Sequence, residues 1–308
     1  MARKSSTRPA TGRPTVALES RGAIAILTLD RPEKRNALSP VEHVALQRIL
    51  AELRSDFETR VVVLTGAGGT FSAGADLGRT REEGKPRNDL ERRHRARIGD
   101  RTVAAIEALD QVTIAAIDGP CVGGGAVLAL ACDIRVMARS AWISIPEVAL
   151  GIPLTWGALP LLVREIGPAR TIELVATGDR VDAATALDLR LVSHVVPDGD
   201  ALAAALELAA RIAARPAVPV AMTKTVVRAL RSGAAQGDVT ATDGDLYWLA
   251  IRLGGLQVDP RFAAPTAISP GSSPKPRKAR GGGTRSHARS RSASGGSPRR
   301  PPPARRRG

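Results

Sequence analysis

Three segments of this 308-residue chain place glycine where an apolar strand should hand over to a helix. Thr70–Leu77 (TFSAGADL) follows the strand-like Val61–Thr65. Gly119–Ala126 (GPCVGGGA) follows Val112–Ile117, and Ile145–Ile152 (IPEVALGI) carries the dipeptide Pro146-Glu147. Glycine at such a turn lets a ligand approach the backbone and leaves unpaired N–H groups at the helix start. Two such turns from neighbouring strands can aim two N–H donors at one oxygen, the logic of an oxyanion hole. Glu147 then supplies a carboxyl that can carry a proton. Each feature alone has a plainer reading: a glycine triplet can serve only to pack a helix on a sheet, and a Glu after Pro is commonly a solvated loop carboxylate. A dinucleotide fingerprint is excluded, because Gly123-x-Gly125 has Leu128 where the third glycine belongs.

The elements that must position these turns are legible in the hydrophobic pattern. Thr15–Ser20 and Ala23–Asp30 alternate around Arg21-Gly22, as a β-hairpin does. Ser39-Pro40-Val41-Glu42 is a capping box with proline at the first helical position, opening a helix to about Arg54. Arg60–Thr65 is a continuous apolar strand, as in a sheet covered on both faces. Residues 79–100 are highly charged, and a helix emerges through Val103–Leu109. The cycle repeats with a strand at Val112–Ile117, a turn at Asp118–Gly125, a helix at Ala126–Ala131, and strands at Asp133–Ala138 and Trp142–Ile145. Helical patterns at 158–165, 168–176 and 183–189 precede a strand at Val192–Val196. Beyond Asp198 only helices appear, at Ala201–Ala214, Val218–Arg231 and Asp243–Leu253. Strands alternating with helices, followed by helices alone, predict an α/β body with a helical C-terminal layer.

Charge is distributed unevenly. The net charge is +15, but Gly271–Gly308 holds twelve basic residues and no acid, and residues 1–14 hold four more; removing both ends leaves −1 for residues 15–270. A near-neutral globule with two basic ends follows: a disordered N-terminus at 1–14, a body at 15–197, a helical region at 198–262, and a disordered Arg/Pro/Gly/Ser-rich tail at 263–308. The tail would attract phosphate without sequence preference. It has no aromatic residue to stack a base, so specific nucleic-acid binding is not expected. The best apolar run, Ile114–Cys132, is broken by Asp118 and Pro120, so no membrane span is expected. Four scattered His and two Cys offer no metal-ligand spacing; Cys121 and Cys132 read as small buried hydrophobes of a reducing, cytoplasmic compartment.

Taken together, the segments resemble the crotonase superfamily, the enoyl-CoA hydratase/isomerase family. The likeness covers about residues 15–230 and includes Arg31-Pro32, Asn36-Ala37-Leu38, the SAGADL loop, IDGPCVGGGAVLALACDIRV, IPEVALGIPLTWG, Gly167-Pro168-Ala169-Arg170 and Thr177-Gly178-Asp179-Arg180. The resemblance implies a spiral of ββα units, an acyl-CoA thioester substrate with coenzyme A as part of the substrate and no separate cofactor, and a trimer or hexamer built from the helical C-terminal part. It implies that the backbone N–H groups of Ala75 and Gly124 hold the thioester oxygen, with Ala73, Asp76, Leu77, Gly78 and Gly123 bordering the CoA ester.

Hydratases of the family use two glutamates. One stands in the Pro-Glu segment, here Glu147; the other stands three residues after the oxyanion glycine, where this chain has Val127. Valine can neither orient water nor move a proton. One carboxylate suffices to shuttle a proton between two carbons of an enoyl thioester, so Glu147 is expected to act alone and isomerisation is favoured. Two alternatives remain: hydration of a 2-enoyl-CoA in fatty-acid β-oxidation, and a catalytically silent acyl-CoA binder. The dienoyl-CoA isomerase variant has an Asp eight residues beyond the Glu; Thr155 stands there. The family's closing Phe…Glu-Lys-Arg helix has no counterpart, which leaves Arg35, Arg79 and Arg81 as candidate partners of the CoA phosphates. Trp156 is a candidate lining of the acyl pocket.

Overall fold

The computed structural model describes residues 15–78 and 86–233. The basic ends at 1–14 and 263–308, the helix expected at Asp243–Leu253, and Arg79 and Arg81 lie outside the described residues.

The hairpin forms as β1 (Val16–Arg21) and β2 (Ile24–Leu29), antiparallel with Arg21 opposite Ile24. Helix α1 (Pro40–Arg54) opens with the expected capping box, in which Ser39 Oγ accepts from the chain and Glu42 Oε2 accepts from Ser39 N at 2.8 Å. Strand β3 (Val61–Gly66) follows. Helices α2 (Asp89–Ala96) and α3 (Ile98–Glu107) then lead to β4 (Val112–Ile117). After these come β5 (Cys121–Val122), α4 (Gly124–Ala131), β6 (Ile134–Ala138) and β7 (Trp142–Ser144). The chain continues through α5 (Ala158–Thr177), β8 (Val181–Asp182), α6 (Ala183–Asp188), β9 (His194–Val196), α7 (Ala201–Ala213) and α8 (Ala217–Gly233).

Six strands form the main sheet in the order β1-β2-β3-β4-β6-β9, parallel throughout except for the opening hairpin. A small second sheet, β5-β7-β8, carries the second glycine turn beside the Pro-Glu segment. Val61–Thr65 and Thr113–Ile117 are buried along their whole length, as expected of strands covered on both faces. On one side α7 packs its fully buried Ala201, Ala205 and Ala209 onto β3 and β4; alanine's small side chain permits that close approach. Helix α4 is buried all round, which is why its sequence is apolar without a polar face. Leu46 on α1 is fully buried; truncation to Ala would cost about 2–5 kcal/mol. Helix α8 is fastened to the body by Lys224, whose Nζ lies 2.7 Å from both the Gln111 carbonyl and Asp133 Oδ2.

Differences from the sequence reading fall where hydrophobic period is silent. Helix α2 buries no residue. It is held instead by an Asn88 cap on Glu91 N and by the ion pair of Arg95 with Glu91 one turn earlier. The expected helix at Val103–Leu109 therefore begins sooner, at Ile98, and α4 begins at Gly124 rather than Ala126. The expected helical runs at 158–165 and 168–176 meet at Gly167 (φ 76°), with Pro168 next. The final strand starts at His194, because Leu191 and Val192 are spent as buried loop.

Candidate active site

The loop after β3 is pinned by polar groups that the sequence placed upstream. Asn36, buried and at φ 54°, accepts from Arg31 N through Oδ1 and donates through Nδ2 to the carbonyls of Ala67 (2.8 Å) and Thr70 (2.7 Å). Ser72 Oγ donates to the Asn36 carbonyl and accepts from Gly74 N. Arg31, itself buried, reaches Glu42 Oε2, Asp76 Oδ2 and the Ala37 carbonyl at 2.7–3.0 Å. A parallel bridge then forms: Leu38 N donates to the Gly74 carbonyl and Asp76 N donates to the Leu38 carbonyl. In such a bridge the intervening residue, Ala75, directs its own N–H away from Leu38.

On that other side lies the second glycine turn. Phe71 N donates to the Pro120 carbonyl, and Val122 N to the Ser72 carbonyl. The approach is close enough that a Cβ on Gly74 would stand 2.7 Å from the Val122 oxygen and 3.0 Å from Gly124 N. Gly124 is the first residue of α4, so its N–H has no partner within the helix and sits at the positive end of the helix dipole. Two amide donors thus flank one opening.

Glu147 faces the same place. A Cβ on Gly123 (φ 50°) would lie 2.7 Å from Glu147 Oε1, so only glycine fits there. The residue as a whole is half-buried, yet Oε2 is buried with no hydrogen-bond partner. Burial pushes the carboxyl up to about 7, opposed only by its own backbone N–H. Such a group exchanges a proton readily at neutral pH.

A cavity of about 170 Å³ joins these groups: Ala75, Leu77, Gly124, Val127 and Glu147 all line it. Among the described residues Glu147 is the only acid in its wall. Asp76 is turned onto Arg31, Gly123 backs the Glu147 carboxyl, Ala73 donates its N–H to the Arg35 carbonyl, and Gly78 is exposed at the end of the described loop; these four do not line this cavity. Arg35 is exposed. No group of three potential metal-ligating side chains occurs among the described residues, and no helix there is long and apolar enough to cross a membrane.

The cavity also holds residues the sequence reading missed. Arg92 and Arg95 of α2 line it; their three-residue spacing in the charged stretch was the available signal. His43 of α1 lines it too, 1% exposed, with Nδ1 2.9 Å from Thr102 Oγ1. Burial, and secondarily the Arg101 charge, lower its pKa to about 4, so the imidazole is neutral at pH 7. No spacing rule could have found it, since His43 sits at an ordinary inward position of an amphipathic helix. Trp156 stands edge to face with His43 at 4.8 Å between ring centres.

Comparison with known proteins agrees with this arrangement. The family model described as Enoyl-CoA hydratase/isomerase matches residues 19–247. The short-chain-enoyl-CoA hydratase of Clostridium acetobutylicum is 34% identical over 213 residues, covering 69% of this chain and 80% of the relative. Among solved structures, an enoyl-CoA hydratase/isomerase from Mycobacterium paratuberculosis superposes with a TM-score of 0.71 at 29% identity, covering 80% of this chain and 95% of the other. A monofunctional enoyl CoA isomerase from M. smegmatis gives 0.60 at 36% identity, covering 72% and 96%. The fold is that of the crotonase superfamily, and the chain belongs to the enoyl-CoA hydratase/isomerase family.

Proposed function

We propose that the protein isomerises the double bond of an enoyl-CoA thioester, with Glu147 as the single proton carrier. The observation that carries this is the cavity wall: among the described residues it holds one carboxyl, Glu147, with the apolar Val127 where a second acid would be needed to hold water. The Glu147 carboxylate removes a proton from C2 of a 3-enoyl thioester. The electron pair moves onto the thioester oxygen, where the N–H groups of Ala75 and Gly124 stabilise the enolate more than the starting ester. The protonated Glu147 returns the proton to C4, giving the conjugated 2-enoyl-CoA. Removing one such donor typically costs about 3–4 kcal/mol of barrier. Arg92 and Arg95, cations in the cavity wall, are placed to meet anionic parts of the CoA ester. The reaction needs no further cofactor, and the family's trimeric or hexameric assembly is the expected state.

Hydration of a 2-enoyl-CoA is the second reading, favoured by the likeness to the Clostridium acetobutylicum relative, a short-chain-enoyl-CoA hydratase. One preparation assayed with 3-enoyl-CoA and 2-enoyl-CoA separates the two. Conversion of the 3-enoyl ester without 3-hydroxyacyl-CoA supports isomerisation; fast loss of the 2-enoyl chromophore to a hydroxyacyl product overturns it. Binding with turnover of neither ester would mark a silent acyl-CoA binder.

A further inference from the structure

Trp156 is built into the cavity at a cost to the backbone. It holds a left-handed conformation (φ 62°), followed by Gly157 at φ 71°. Bulky side chains avoid that region, and where one persists it is held by its surroundings and has a job there. The indole sits in a slot made by two glycines from different helices: a Cβ on Gly99 of α3 or on Gly124 of α4 would overlap the ring. Its third neighbour is His43 of α1, in the edge-to-face contact described above. His43 is fixed in turn by Thr102, to which Gln47 Nε2 also donates at 2.8 Å.

A side chain that touches α4, α3 and α1 at once spans the gap between those helices. It does so directly beside Gly124, the residue whose N–H meets the thioester oxygen in the reading above. Carbons beyond the thioester must therefore turn along the indole or be stopped by it. We infer that Trp156 is a specificity-determining residue that closes the acyl end of the cavity and restricts the substrate to short acyl chains. The inference rests on the acyl-CoA reading of the site and does not depend on whether the reaction is isomerisation or hydration.

Saturated esters test it without any proton transfer. The dissociation constants of butyryl-, hexanoyl-, octanoyl- and decanoyl-CoA are measured by calorimetry for the wild type, W156L and W156F, with thermal melts confirming that each variant folds. In the wild type, affinity stops improving beyond hexanoyl-CoA. In W156L it continues to rise toward decanoyl-CoA, at up to about fourfold per added CH₂. W156F, which removes only part of the indole, shifts the limit less and covers the case in which W156L does not fold. Wild-type affinity that climbs steadily to decanoyl-CoA overturns the inference, as does the same length profile in all three proteins. Binding of no acyl-CoA at all removes the acyl-CoA reading along with it, whereas failure of the isomerase assay alone leaves the length limit standing.

Discussion

Glu42 and Glu147 each hold one buried carboxyl oxygen that lacks a hydrogen-bond partner, and they differ in whether a cation stands against the other oxygen. Glu42 Oε2 receives both Arg31 Nη1 at 3.0 Å and Ser39 N at 2.8 Å, so its charge is answered inside the protein. Among the described residues Glu147 forms no ion pair, Oε2 has no hydrogen-bond partner, and burial, opposed only by its own backbone N–H, raises its pKa to about 7. A buried carboxylate with partners is structure: it ties α1 to the loop that carries Ala75. A buried carboxylate without a counter-charge is destabilised in its charged form and is therefore ready to take a proton. His43 shows the same cause with the opposite sign, since burial favours its neutral form and lowers its pKa to about 4.

The largest test of this contrast is Glu147→Gln, which should lower the isomerisation rate by about 10²–10⁴-fold while saturated acyl-CoA binding changes little. Wild-type turnover in that variant would end the assignment. Breaking the other side, Arg31→Ala removes the guanidinium that faces both Glu42 and Asp76 and should cost about 3–5 kcal/mol of stability, read from urea unfolding. A loss within experimental error would show the network to be incidental.

Stability against pH sharpens the comparison further. The folded protein keeps a proton on Glu147 that the unfolded chain releases near 4.5, so this group's contribution falls as pH rises from about 4.5 to about 7 and is level above. Glu147→Gln should therefore be more stable than wild type at pH 8, by up to about 3 kcal/mol, with the gap closing toward pH 4.5. An equal melting temperature at both pH values would contradict a carboxyl raised by burial. His43 runs the other way: the folded state refuses a proton that the unfolded chain accepts below 6.5, so stability is lost as pH falls from 6.5 to about 4. Between about 4.5 and 6.5 the two slopes oppose each other. The smallest effect expected is that His43→Asn unmasks the falling Glu147 slope in that window; a profile parallel to wild type would remove His43 from the balance.

Much of the fold was legible because the core elements obey simple periods. The capping box at Ser39, the apolar Val61–Thr65 and Val112–Ile117 runs and the all-apolar α4 each state their own environment. Helix α2 did not, because it buries nothing and rests on a cap and ion pairs. The two-residue strands β5 and β8 are too short to show a period at all. In the site, Glu147, Ala75, Gly124 and Val127 were visible as motif positions, whereas Asp76 turned out to face Arg31, and His43, Arg92 and Arg95 emerged only from the packing.

What the amino-acid order determined by itself is local: where helices start, which strands are covered on both faces, and where only glycine can turn the chain. Such choices depend on neighbours within a few residues. Tertiary structure alone decided that residues 43, 95, 124, 147 and 156 share one cavity, and which of the buried acids lacks a counter-charge. Proton affinity and pocket shape depend on what lies across a gap of a few ångströms, and chain separation does not record that distance.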